Sequence, residues 1–261
     1  VNGLRDRTAT PGAEALAAYY TRYYRDTLGI PGWRELVAAR LDDGDAERAR
    51  VARLARALGA PIGGRRVLSL GCGTGGFLRA AADAGAAVWG LDPDAEAVAL
   101  AAGRCPAAAV VVGTGERLPF ADGRFDVVHC YSTLEHVADA AATVREMVRV
   151  LRRGGHLYIH TPHRLACFES HYKVVWPPGL PAWGRRAWLA AQGRPTAFLD
   201  TLRPLTLGEC RRLLAAAGAR LVRVLDDDDR RRVGGPLWPA IRAYYRIFGI
   251  HPHLELLAVR P

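Results

Sequence analysis

Val67-Leu68-Ser69-Leu70-Gly71-Cys72-Gly73-Thr74-Gly75-Gly76 decides the fold of this 261-residue chain. An apolar run rich in branched residues stops at glycines, and an alanine-rich segment of helical character follows. That is a buried strand, a tight turn and a helix start. Glycines suit such a turn because a side chain would keep a ligand from lying against its backbone amides. Farther on, Gly90-Leu91-Asp92 ends a second strand on a carboxylate suited to ribose hydroxyls. Together the two features point to an adenosine-containing cofactor.

Outward from this stretch the chain alternates regularly. Strand 67–71 leads to a helix near 75–85, strand 87–91 to a helix near 94–103, and strand 108–112 to a loop through Pro119. Strand 125–131, a helix near 139–151 and strand 155–161 follow. Strands separated by helical patterns of this length imply βαβ units and a parallel sheet. Asp139 is a plausible N-cap, and Thr206-Leu207-Gly208-Glu209 fits a capping box with Gly218 as the stop. A further strand is expected over 221–225 and a last one, at the sheet edge, over 254–259.

Residues 13 to 58 read as helices, with Tyr19, Tyr20, Tyr23 and Tyr24 at helical spacing and Gly29 to Gly32 as an interruption. Residues 162–205, rich in proline and tryptophan, show no clear periodicity. A long irregular insertion after a sheet strand reads as a binding lid or pocket wall. The aromatic pattern at 237–248 reads as a helix packed on the sheet.

Half the residues are hydrophobic, which excludes a disordered chain. No apolar run reaches the roughly 18 residues of a membrane span. The start of the chain, with Arg5, Asp6 and Arg7, lacks a secretory pattern. Five scattered cysteines (72, 105, 130, 167, 210) suit reduced thiols, and the expected location is cytoplasmic. The formal charge is +10, but the arginines are spread along the chain and Lys173 is the sole lysine, so the charge reads as compositional bias. No separate nucleic-acid-binding module is visible, and a nucleic acid partner is not expected. The aspartates and arginines at 226–232 read as solvated and self-paired, and no metal is assigned anywhere.

The glycine turn also satisfies G-x-G-x-x-G, which alone does not separate nicotinamide cofactors from S-adenosylmethionine. Hydride transfer by a Tyr-x-x-x-Lys pair is ruled out, because Glu169 stands four positions before the only lysine. Five ordered blocks then decide. Val67–Gly75, Gly90-Leu91-Asp92-Pro93, Gly113-Thr114-Gly115-Glu116-Arg117-Leu118-Pro119-Phe120, the run from Phe125-Asp126-Val127-Val128 to Leu134-Glu135-His136-Val137, and Arg149-Val150-Leu151-Arg152-Arg153-Gly154-Gly155 resemble class I S-adenosylmethionine-dependent methyltransferases, in the broad subgroup acting on small molecules, sugars and lipids. Ser69, Thr114 and Arg153 depart from the family's usual Asp, Asp and Pro.

The resemblance implies a Rossmann-like, doubly wound, mostly parallel seven-stranded α/β sheet. A helical N-terminal cap (1–60) would precede a methyltransferase domain (61–261) that carries the 162–205 insertion. It implies S-adenosylmethionine as cofactor and S-adenosylhomocysteine as product. Gly71, Gly73 and Gly75 would line the methionine half, Asp92 would hold the ribose, and Thr114 and Gly115 would face adenine. Cys130 or Tyr131 would lie near the sulfonium, and Tyr19 or Tyr23 would touch the cofactor from the N-terminal helix.

In-line methyl transfer chiefly needs alignment, and a hydroxyl acceptor also needs a base, for which histidine is suited. His163 and His171 are the preferred candidates, with His136 as base or loop organiser and His160 as a sheet residue. Arg164, Arg185, Arg186 and Arg194 could hold an anionic group on the acceptor. The expected reaction is O-methylation of a small molecule such as a sugar, a glycan or a natural-product hydroxyl. An RNA methyltransferase and a non-catalytic cofactor binder are the alternatives.

Overall fold

The computed structural model describes residues 11–225 and 237–261, so the run at 226–232 and the charged start at 5–7 lie outside the described residues. Strands β1 (Arg66–Leu70), β2 (Ala87–Asp92), β3 (Ala109–Val112), β4 (Phe125–Tyr131) and β5 (Leu151–Pro162) are parallel neighbours, as the βαβ pattern requires. A small antiparallel hairpin, β6 (Phe168–Glu169) and β7 (Val174–Val175), stands apart. With β8 (Arg220–Leu225) and β9 (His253–Val259) the main sheet has seven strands in the order β3-β2-β1-β4-β5-β9-β8.

The last strand is not at the edge. β9 runs antiparallel between β5 and β8. Burial explains the order: six of the seven β9 residues are buried, whereas no β8 residue is, so β8 takes the wet edge. Glu255 of β9 is fully buried and accepts hydrogen bonds from Arg53 Nε at 2.7 Å and the Tyr158 hydroxyl at 2.5 Å.

Helices α1 (Pro11–Thr21), α2 (Trp33–Leu41) and α3 (Gly44–Leu58) precede the sheet, and α4 (Gly76–Asp83), α5 (Ala95–Arg104) and α6 (Ala140–Val150) alternate with its strands. Side chains alternate across each strand, so the sheet has two apolar faces. One packs Val144, Met147, Val148 and Leu214 against Leu70, Val128, Leu157 and Leu256. The other packs Val51, Leu54, Phe77 and Leu78 against Val67, Val88 and Val127. Each fully buried leucine contributes roughly 1.5–3 kcal/mol. The expected caps are present: the Asp139 side chain accepts from Ala141 N and Ala142 N, and Thr206 and Glu209 form a capping box on α8 (Leu207–Ala216).

Two segments depart from their sequence reading. The insertion is not structureless, since it contains the β6–β7 hairpin and α7 (Ala182–Ala190). It also shares an apolar cluster with the N-terminal helices, in which Tyr24, Leu28 and Val37 meet Tyr172, Trp176 and Leu189. The aromatic helix α9 (Trp238–Ile247) packs on this insertion rather than on the sheet. Ile241 and Tyr245 meet Cys167, and the Tyr245 hydroxyl accepts from Cys167 N at 2.8 Å. All five thiols are free and buried. Among the described residues no helix is long and apolar enough to cross a membrane.

His129 in β4 lies in an aromatic stack, 3.8 Å from the Phe77 ring centroid and 5.5 Å from that of Tyr158. Its ring nitrogens have no hydrogen-bond partner, and burial, helped by the Arg50 charge, holds its pKa well below the ordinary value. The unfolded chain takes up a proton here below about pH 6.5 while the folded chain does not, so stability falls as pH drops through that value. We expect His129→Phe to remove up to about 1.4 kcal/mol per pH unit of this acid sensitivity. Urea midpoints of both proteins at pH 7 and pH 5 check it, and parallel declines would refute it.

Candidate active site

The main cavity, about 870 Å³, opens at the carboxyl ends of the strands between the glycine turn and the insertion. Ligands bind at this end of open α/β sheets. The turn after β1 holds Gly71, Gly73 and Gly75 at φ of 71°, 51° and 82°, a region that side chains disfavour. At Gly71 a Cβ would also stand 2.0 Å from Thr133 Oγ1, whereas at Gly73 it would meet nothing within 4 Å. Both glycines line the cavity. Gly75 does not, because its missing side chain instead lets the turn pack on Ala101.

Asp92 ties this turn to β2. Its Oδ2 accepts from Gly73 N at 2.8 Å and its Oδ1 from Asp94 N at 3.0 Å. Burial raises its pKa, and these two hydrogen bonds only partly offset the shift. The cap of α5 is its neighbour Asp94, whose side chain accepts from Glu96 N and Ala97 N.

The N-terminal helices close one wall. The chain widens into a π-helical turn over Arg22–Thr27, and Tyr19, Tyr20, Tyr23 and Tyr24 all line the cavity. The Tyr19 hydroxyl donates to Asp94 at 2.9 Å, and the hydroxyls of Tyr20 and Thr74 share a hydrogen bond of 2.8 Å. Arg104 donates to Thr74 Oγ1 at 3.0 Å and to the buried Asp43 at 2.7 Å, and Arg79 joins Asp43 at 3.1 Å. Asp43 thus holds the helical segment against the glycine turn. Sequence reasoning missed it, because nothing in Leu41-Asp42-Asp43-Gly44-Asp45 singles out the middle carboxylate. Asp43→Asn removes the charge facing two arginines and should cost roughly 2–4 kcal/mol. A lowered denaturation midpoint checks this, and an unchanged one would show that the pair is energetically neutral.

At the far end the structure brings together His136 and His171, with Nε2 atoms 3.3 Å apart. Proton counting fixes their states. Thr201 Oγ1 donates to Phe198 O, so it accepts from His136 Nδ1–H at 3.3 Å. His136 Nε2 therefore carries a lone pair, and His171 supplies the shared hydrogen. His171 Nδ1 also meets the buried Glu169 carboxylate at 2.7 Å, so His171 is an imidazolium. Burial lowers the His171 pKa, but the Glu169 hydrogen bond and the Glu169 and Glu135 charges outweigh it and the net shift is upward. Burial and the adjacent His171 charge push His136 down to about 4. Ser132 and Lys173 line the cavity nearby with left-handed φ of 50° and 56°. Such backbone strain in non-glycine residues gathers at functional sites.

Several expected residues stand elsewhere. His163 does not line this cavity: its Nδ1 accepts from Leu165 N at 3.1 Å, and it faces a smaller pocket beside Trp176. Cys130 is fully buried on the other strand face, so of the pair it is Tyr131 that reaches the cavity. Thr114 and Gly115 lie beyond the cavity wall. Glu116 accepts from Ala138 N and Asp139 N, which draws their loop toward α6 and sets Gly115 against Thr143. The insertion arginines are engaged internally: Arg164 with Glu209, Arg186 with Asp200, Arg185 with Leu180 O and Arg194 with Tyr172 O. His160 lines the cavity and stacks on Tyr131 at 4.0 Å.

A doubly wound sheet with its one antiparallel strand second from the edge, and a glycine turn coupled to an acidic second strand, define a Rossmann-like fold of the methyltransferase type. Residues 68–159 match the methyltransferase domain family, and the chain carries a class I S-adenosylmethionine-dependent methyltransferase domain there. It is 39% identical over 112 residues to a ubiquinone biosynthesis O-methyltransferase of Ralstonia nicotianae, a match covering 41% of this chain and 47% of that protein. It is 44% identical over 96 residues to a demethylmenaquinone methyltransferase of Beutenbergia cavernae, covering 37% and 40%. The chain thus spans about half the length of the curated relatives it matches. Geranyl diphosphate C-methyltransferase from Streptomyces coelicolor A3(2), solved with Mg2+, geranyl diphosphate and S-adenosylhomocysteine, shares the fold at a TM-score of 0.58 and 19% identity, covering 97% and 99%.

Proposed function

We propose that this chain transfers the methyl group of S-adenosylmethionine to a small aromatic acceptor bearing a hydroxyl. The observation that carries the reading is one continuous cavity joining the glycine turn and Asp92 to the His136–His171 pair. The bound cofactor supplies an activated methyl group on a sulfonium. Gly73 leaves room for it beside the Gly71 backbone, Asp92 has lone pairs left for the ribose, and Tyr19, Tyr23 and Tyr131 flank it. The residues fit, because the turn offers open space at Gly73 and a carboxylate directly behind it.

The acceptor stands at the opposite end, between Phe198 and the histidines. Six tyrosines and three phenylalanines on the cavity wall favour a planar ring, in keeping with the quinone-related names of the relatives. The His136–His171 pair takes the place of the single base expected from the sequence: the His171 charge stabilises the acceptor oxygen as its anion, and the acceptor's proton leaves to solvent through the open cavity. A phenolate produced there can be methylated on oxygen or on an adjacent ring carbon. Lys173 on the same wall adds positive charge. The N-terminal helices act as the cofactor-side cover, and residues 162–205 as the acceptor-side wall.

Calorimetry should show S-adenosylmethionine binding, with affinity reduced at least tenfold in Asp92→Ala. His136→Ala and His171→Ala should keep that affinity within about twofold while lowering turnover by about 10²–10⁴ on a catechol or hydroquinone acceptor. A wild-type protein that binds no S-adenosylmethionine would end this reading.

A further inference from the structure

We propose that Glu135, His136 and His171 form a binding site for one divalent transition-metal ion, zinc being the best match, at the acceptor end of the cavity. One donor atom from each residue lies within 4.8 Å of the other two. The two imidazole Nε2 atoms are 3.3 Å apart, and Glu135 Oε1 is 3.8 Å from that of His171. Two nitrogens each about 2.0–2.1 Å from a tetrahedral zinc are separated by about 3.3 Å. Two imidazoles and one carboxylate suit zinc better than the hard cations, which prefer oxygen alone.

A second observation points to the same ion. Glu135 has no exposed surface, and its Oε1 has no hydrogen-bond partner. A buried carboxylate oxygen is costly to leave so, and the His171 imidazolium meets it only from 3.8 Å, beyond hydrogen-bond reach, which leaves a place for a bound cation between them. Its other oxygen is fixed by the Thr161 hydroxyl at 2.8 Å. The far nitrogens of both histidines are held too, His171 Nδ1 by Glu169 at 2.7 Å and His136 Nδ1 by Thr201 at 3.3 Å. A carboxylate behind a ligating imidazole is the outer support that zinc sites use.

The ion takes the place of the hydrogen shared between the two Nε2 atoms, which leaves with solvent. Both histidines line the cavity while Glu135 lies behind them, so a fourth coordination position faces the acceptor. Three protein ligands with one open position are the pattern of catalytic zinc. The ligand class for that position is a hydroxyl or phenolate oxygen, whose proton the ion would make easier to lose. That last role rests on the methyl-transfer reading; ion binding does not.

The test is zinc titration of chelator-stripped full-length protein against a competing chromophoric chelator. One equivalent should bind. His171→Ala should weaken binding at least a hundredfold, Glu169→Gln about tenfold, and His163→Gln should leave it unchanged. Cobalt(II) in the wild-type protein, which depends on no variant folding, should give the intense visible absorption of a four-coordinate ion. Substoichiometric binding, weak six-coordinate spectra, or equal affinity in His171→Ala would overturn the proposal. Calorimetry with S-adenosylmethionine on the same samples separates the two failures. Cofactor binding without zinc rejects this site alone, and zinc binding without cofactor rejects methyl transfer alone.

Discussion

The close approach of β1 to the loop after β4 sets everything at this end of the sheet. Thr133 Oγ1 donates to Leu70 O at 3.2 Å and to Tyr131 O at 3.1 Å, and only a glycine at 71 leaves room for it. From that crossing the two connections part. One turns over Gly73 toward Asp92, and the other runs through Ser132 to His136. The crevice between them is a topological result of adjacent parallel strands whose helices lie on opposite faces. Cofactor contacts and acceptor contacts are thereby held on separate loops that share one hinge point.

Most of the sheet was legible because strands and helices declare themselves by period. β4 was read residue for residue, and the caps at Asp139 and Thr206 follow from local hydrogen bonding. The place of β9 was not legible, since its order in the sheet depends on burial relative to β8, a comparison between distant segments. The π-helical turn at 22–27 and the helix at 182–190 were hidden too. Their residues answer to a cluster shared between the N-terminal segment and the insertion, and to no pattern of their own.

At the site, the glycine turn and Asp92 were visible because each is a local constraint on one turn. The histidines show the opposite case. His136 and His171 are 35 positions apart and joined only by the fold, so spacing could not pair them, and His163 was an equally good candidate on sequence. What separates His171 from His163 is the company each keeps. One is charged between two buried carboxylates, while the other is pushed down to about 4 by burial and the nearby His251 and Arg164 charges. Asp43 and Arg104 were missed for the same reason, as their value lies in a docking of helices that no single stretch encodes.

The interior position of β9 dictates an order of assembly. β8 is synthesised first, yet in the sheet it hydrogen-bonds only to β9, so it must wait for a partner that leaves the ribosome later. Until then β5 presents an unpaired edge from His156 to Pro162, the kind of template on which incomplete chains adhere to one another. Arg53 and Tyr158 are waiting there as well, without the carboxylate that Glu255 will bring. Productive folding of this protein therefore hinges on a late insertion.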